Sequence, residues 1–182
     1  METRVAEAVL EEIKIHGFKF TMDDVTARLH MSKSSLYKLV GSKDKLVHDL
    51  ISWIKDDFEG QKKQVLLSSL DRYSKINRLI EIYVAIFRPF NNNVYKEIKL
   101  FYPEEWERWQ KCQEENIDCI LDLLKEGIAA NEFKPVNIQV VRQIVLHAAV
   151  AITDYDFLQQ SNLSYFDALE QFSDVIFFGV KK

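Results

Sequence analysis

Lys33, Ser34, Tyr37 and Lys38 fall on one side of a short helical segment, while Leu36, Leu39 and Val40 fall on the other. Two cations, a hydroxyl and a phenol make up the outer side. Groups of these types hold phosphate oxygens and hydrogen-bond the edges of bases. This is the chemistry of a helix lying in the major groove of double-stranded DNA.

Such a helix has to be held, and the flanking residues are suited to holding it. Thr21-Met22-Asp23-Asp24 has the form of a capping box, and Met22, Val25 and Leu29 then give one apolar stripe over about two turns. His30-Met31 breaks the period, and Ser32 is a good N-cap for the next helix. Gly41 is placed to end that helix in a left-handed C′ conformation, and Ser42 caps a third, with Lys43 and Lys45 in its first turn. A capped helix N-terminus with lysines beside it can clamp a phosphate. From Arg28 to Lys45 the basic residues are Arg28, Lys33, Lys38, Lys43 and Lys45 against Asp44 alone, a balance of +4 in a chain of net charge −4. The positive charge is focused on one segment.

The segment from Gly17 to Leu46 resembles the DNA-binding end of the TetR family of one-component bacterial repressors. The similarity rests on Gly17-Phe18, Thr21 with Asp23-Asp24-Val25, Ser32-Lys33 with Ser35-Leu36-Tyr37, and Ser42-Lys43 with Leu46. His30 stands where the family usually has Gly in the turn, Thr26 displaces Ala27 of the common Asp-Ile-Ala triplet, and Val40 replaces the usual Phe. His is among the residues that tolerate a left-handed turn best. The resemblance implies that Thr21, Ser35, Tyr37 and Lys43 mainly hold phosphates, while Lys33, Ser34 and Lys38 approach base edges. It also implies a homodimer formed through the last two helices, a palindromic operator and a small-molecule effector bound in the second domain.

The chain of 182 residues is 47% hydrophobic and 29% charged with five Gly and three Pro, a composition of ordered helical proteins. No apolar run approaches the roughly 18–20 residues of a membrane span, and the N-terminus reads as an amphipathic helix rather than a secretion signal. A cytoplasmic location is expected. Cys112 and Cys119 lie seven apart on one expected helix, a rise of about 10.5 Å, too far for a disulfide between them.

Periodicity and punctuation predict an all-α fold of about nine helices. They run over 3–16, 22–29, 33–40, a long fourth from Ser42 that Gly60 ends or bends, 71–87, 94–101, 104–130, 138–160 and 164–178. Residues 1–46 form the expected helix-turn-helix domain. Residues 47–182 form the expected helical effector-binding and dimerisation domain, joined through the fourth helix. The eighth helix, with Val140-Val141, Ile144-Val145-Leu146 and Ala148 to Ile152, is apolar nearly all round and needs cover on more than one side. A charge at Val145 is therefore expected to break the dimer or the fold.

Hydrolase, nucleotide-binding and zinc motifs are missing from the sequence, so no enzyme activity, cofactor or metal is expected. Tyr83, Phe87, Trp106 and Trp109 belong to an aromatic-rich region, and His147 lies in the apolar run of the eighth helix. Aromatics at helical spacing are usually core. By the resemblance these five are the candidate ligand contacts, for a largely apolar ligand in a pocket of about 300–1,000 Å³. The expected function is a ligand-released repressor. The alternatives are an effector-independent DNA-binding dimer that recruits a protein partner, and an all-α enzyme or carrier with a chance helix-turn-helix pattern.

Overall fold

The computed structural model describes residues 1–86 and 88–180. Its described residues form ten α-helices and no strand. They divide into two compact units, 1–59 with 93–109, and 60–92 with 110–182. The first unit takes in all of residues 1–46, and the division falls inside continuous helices.

In the first unit α1 (Thr3–His16) buries Val5, Val9 and Ile13, a stripe of i, i+4 and i+8 positions. Gly17 ends it at φ 61° and ψ −155°, and a single 3₁₀ turn (Gly17–Lys19) sets Phe18 and Phe20 into the core. The helix α2 (Met22–Leu29) packs on α1 and on α3 (Lys33–Val40). Glu12 of α1 is buried and accepts from Arg28 Nε at 2.5 Å, while Arg4 donates to the Leu29 carbonyl at 2.7 Å. Those bonds tie the end of α2 to α1, and leaving Glu12 unpaired in the core would cost several kcal/mol, about 3–5 for a buried pair that loses one partner.

The fourth helix, α4 (Lys43–Leu67), opens with Ser42 Oγ accepting from the Lys45 amide at 3.1 Å. It passes Gly60 and runs to Leu67, so of the two expectations for Gly60, an end or a bend, the end is not found. No side chain comes within 4 Å of the position a Cβ would take at Gly60, and one glycine costs a helix only about 1 kcal/mol. The first unit is completed by α6 (Asn92–Phe101) and the opening of α7 (Pro103–Ala129). Glu97 accepts from the Phe18 amide at 2.7 Å, and the Tyr102 ring lies 5.4 Å from that of Phe18. Buried Glu105 meets His48 Nδ1 at 2.7 Å and Arg108 at 2.6 Å, and Arg108 also donates to Ser52 Oγ.

The second unit contains α5 (Arg72–Ala85), the remainder of α7, α8 (Ile138–Ile152), α9 (Tyr155–Gln160) and α10 (Tyr165–Val180). Its core includes Ile76, Leu121, Leu124 and Phe133. Side-chain caps mark the starts: Asp71 for α5, Asn137 for α8, and Ser164 with Asp167 for α10. The single eighth helix expected over 138–160 is corrected to two. Asp154 is extended and accepts from the amides of Asp156 and Phe157, so it starts a new helix where the sequence pattern runs on. Asn92 bridges to the loop before α10, donating to the Leu163 carbonyl and accepting from the Tyr165 amide, each at 2.9 Å.

Candidate nucleic-acid interface and internal cavity

The turn between α2 and α3 is built as its residues demand. Thr21 Oγ1 accepts from the Asp24 amide at 3.2 Å, and Asp24 Oδ2 accepts from the Thr21 amide at 2.7 Å. The Thr21 hydroxyl and amide hold the Asp24 carboxyl below the usual aspartate range. His30 adopts φ 53° and ψ 45°, the left-handed cap expected of the residue in this turn. Ser32 Oγ then accepts from the Ser35 amide at 3.1 Å and starts α3.

Only Leu36 and Val40 of α3 are buried. Lys33, Ser34, Ser35, Tyr37 and Lys38 are exposed, Tyr37 by 41%. The sequence pattern sets Leu39 on the inner face with Leu36 and Val40; it is instead 45% exposed. At about 100° per residue Leu39 lies about 60° from Leu36 and about 100° from Val40, at the edge of a buried stripe too narrow to cover it.

The five basic residues of this segment differ in what they already hold. Arg28 is tied to Glu12, Lys33 to Asp23 at 2.8 Å and Lys45 to Asp49 at 2.7 Å. Lys33 is raised above its ordinary pKa by its hydrogen bond to Asp23. Lys43 is turned inward, donating to the Phe18 carbonyl at 2.7 Å and lying 4.4 Å from the centre of the Phe20 ring. Burial pushes its ammonium down, and nearby Asp44, Glu97 and Asp24 oppose that shift. Among the described residues only Lys38 of the five has no ion-pair or hydrogen-bond partner. The Lys33 and Lys45 pairs are exposed, and such pairs are screened by salt and readily exchanged for a phosphate.

Among the described residues one group could hold a metal: ligand atoms of Glu12, His16 and Asp24 lie within 4.8 Å of one another. All three have structural duties, and the Arg28 guanidinium bound to Glu12 disfavours a second cation.

The second unit holds a partly open apolar cavity of about 80 Å³ lined from α5, α7, α8 and α10, with Tyr83, Asn116, Leu124 and Val145 among its lining. A wider and more polar cavity of about 290 Å³ shares Ile80, Val84 and Ser173 with it and is edged by Glu81, Arg88, Glu170 and Asp174. Of the four candidate ligand residues among those described, only Tyr83 lines either cavity. Trp106 lies under the Lys99 ammonium at 4.6 Å, and Trp109 is buried in the first unit. His147 is exposed on α8, and its Nδ1 donates to the Gln143 carbonyl at 2.9 Å. Phe87 lies outside the described residues. The residue that sequence reasoning misses is Asn116, a buried amide on the stripe Trp109, Cys112, Asn116, Ile120 and Leu124 of α7.

This architecture, a capped helix-turn-helix followed by a helical second unit, is the fold of TetR-family transcriptional regulators. A structure of a TetR-family regulator from Agrobacterium tumefaciens superposes with a TM-score of 0.74 at 13% identity, covering 98% of this chain and 96% of that one. The TetR-family regulator PfmR from Thermus thermophilus gives a TM-score of 0.66 at 17% identity, covering 98% and 100%. In sequence the chain is 24% identical to YvaF, an HTH-type transcriptional regulator of Bacillus subtilis, over 99% of this chain and 95% of YvaF. No family model matches the chain.

Proposed function

We propose that the chain is a cytoplasmic, homodimeric DNA-binding transcriptional regulator, a repressor released from its operator by a small, largely apolar ligand. The observation that carries this is the outer face of α3, where exposed Lys33, Ser34, Tyr37 and unpaired Lys38 stand on a helix capped by Ser32 and seated by Leu36 and Val40. Residues 1–46 bind DNA in this reading, and 47–182 dimerise and sense. Thr21, Ser35, Tyr37 and Lys43 serve phosphates, while Lys33, Ser34 and Lys38 approach bases. The regulators of similar fold and the similarity to YvaF support it. No helix among the described residues is long and apolar enough to cross a membrane.

Lys38→Ala should lose about 1–3 kcal/mol at the cognate site and relax preference at a few base pairs. Lys43 must exchange its bond to the Phe18 carbonyl for a phosphate in this reading, so Lys43→Ala should weaken all sequences alike and flatten the salt slope by about one unit. Selection of binding sites from random DNA at two salt concentrations measures both. An unchanged selected motif for Lys38→Ala would remove that residue from base readout.

Pairing of two chains is supported by α8. Val140, Ile144, His147 and Val150 form an exposed stripe at helical spacing, with Val150 69% exposed, while Val141, Val145 and Ala149 line the cavity. A charge at Val145 therefore tests folding rather than association. Val150→Glu is the cleaner variant: it should sediment as a folded monomer and bind operator DNA far more weakly, because one recognition helix reads only a half-site. A folded Val150→Glu dimer would place the interface elsewhere.

A further inference from the structure

Asn116 is 4% exposed, lines the inner cavity, and its Oδ1 has no hydrogen-bond partner. The other walls are mostly aliphatic; their polar groups are Tyr83, Gln113 and Ser173, none of which bonds Asn116 Oδ1, and the Ser173 hydroxyl donates to the Leu169 carbonyl at 2.8 Å. A buried carbonyl oxygen without a donor is costly, and such an atom lining a cavity can be satisfied by a bound group that supplies the donor. We propose that this cavity binds the hydroxyl end of a small neutral apolar molecule, a phenol or alcohol, which donates to Asn116 Oδ1. This deepens the effector role given above to the second unit and rests on it.

The inner cavity is about 80 Å³ and the adjoining one about 290 Å³, and Ile80, Val84 and Ser173 line both. In this proposal the hydroxyl and the carbon bearing it sit in the smaller cavity, and the rest of the ligand extends toward the larger one. Three carboxylates, Glu81, Glu170 and Asp174, edge that second cavity against the single guanidinium of Arg88, so an anionic tail is disfavoured.

The test uses the full chain with 4-propylphenol and 4-propylanisole, which differ in whether the oxygen carries a proton. Calorimetric titration of the wild type should show the phenol binding at least about tenfold more tightly, because a site made to meet a hydroxyl rejects the analogue lacking it. In Asn116→Leu the preference should vanish, and the ligand-free variant should melt about 2–6 °C higher, since an unpaired buried carbonyl has gone. Equal affinities, a preference for the anisole, or binding of neither would overturn the proposal from the wild type alone, whatever the variant does. Operator binding followed in the same samples reports separately on the regulator reading: a phenol held through Asn116 that leaves the DNA bound supports this site and counts against its role as the switch.

Discussion

Gly17→Ala should destabilise the first unit by about 3–5 kcal/mol, and operator binding should fall with it. Gly17 sits at φ 61° and ψ −155°, a region that only glycine occupies freely, and a side chain held there costs about 1–3 kcal/mol. A Cβ would also stand 2.1 Å from Glu97 Oε2, so the carboxylate must withdraw from the Phe18 amide that it accepts from at 2.7 Å. Losing a hydrogen bond to a charged group adds about 1.5–3 kcal/mol. Urea unfolding of the variant beside Glu97→Gln separates the two parts, because Gln retains an acceptor and leaves the backbone unstrained. A Gly17→Ala midpoint equal to the wild type would show that the corner between α1 and α2 does not depend on this geometry.

Gly127→Ala should destabilise the second unit by about 2–3 kcal/mol, although alanine is the better helix former by about 1 kcal/mol. The Phe133 ring lies against Gly127, and a Cβ would come within 2.2 Å of it. Phe133 is 3% exposed and belongs to the cluster of Ile76, Leu121 and Leu124, so the ring has nowhere to go without disrupting that packing. The backbone fixes the approach: Asn131 turns at φ 63°, and the amides of Glu132 and Phe133 both return to the Gly127 carbonyl. Shrinking the ring relieves the clash, so Phe133→Leu should cost less in the Gly127→Ala background than alone. Additive losses across that double-mutant cycle would refute the contact.

The helix-turn-helix is legible in the sequence because its boundaries are made by local side chains. Thr21, Asp24, Ser32 and Ser42 bond to amides within three residues of themselves, so their roles follow from spacing. Leu39 is easily misplaced because a buried stripe two residues wide resembles a broader one when only residue types are known. The partners of the basic residues are a different matter. Arg28 meets Glu12 across two helices, and Lys43 reaches a carbonyl 25 positions away, neither of which a local pattern encodes. In the second unit the aromatic types are visible, but which of them face a void depends on how α5, α7, α8 and α10 close around it. Asn116 does leave a trace, as the polar residue on the apolar stripe of α7.

The first unit is discontinuous in the chain, since residues 93–109 complete what 1–59 begin. Synthesis is vectorial, so the ribosome releases Gly17, Phe18 and His48 well before Glu97, Tyr102 and Glu105 exist to meet them. At about 5–20 residues per second that interval lasts roughly 3 to 17 s. For that time the helix-turn-helix lacks the contacts that residues 93–109 supply. In the regulator reading proposed above, a nascent chain stalled before residue 93 carries the DNA-contacting face without the packing that steadies it, and its competence to bind waits for that segment.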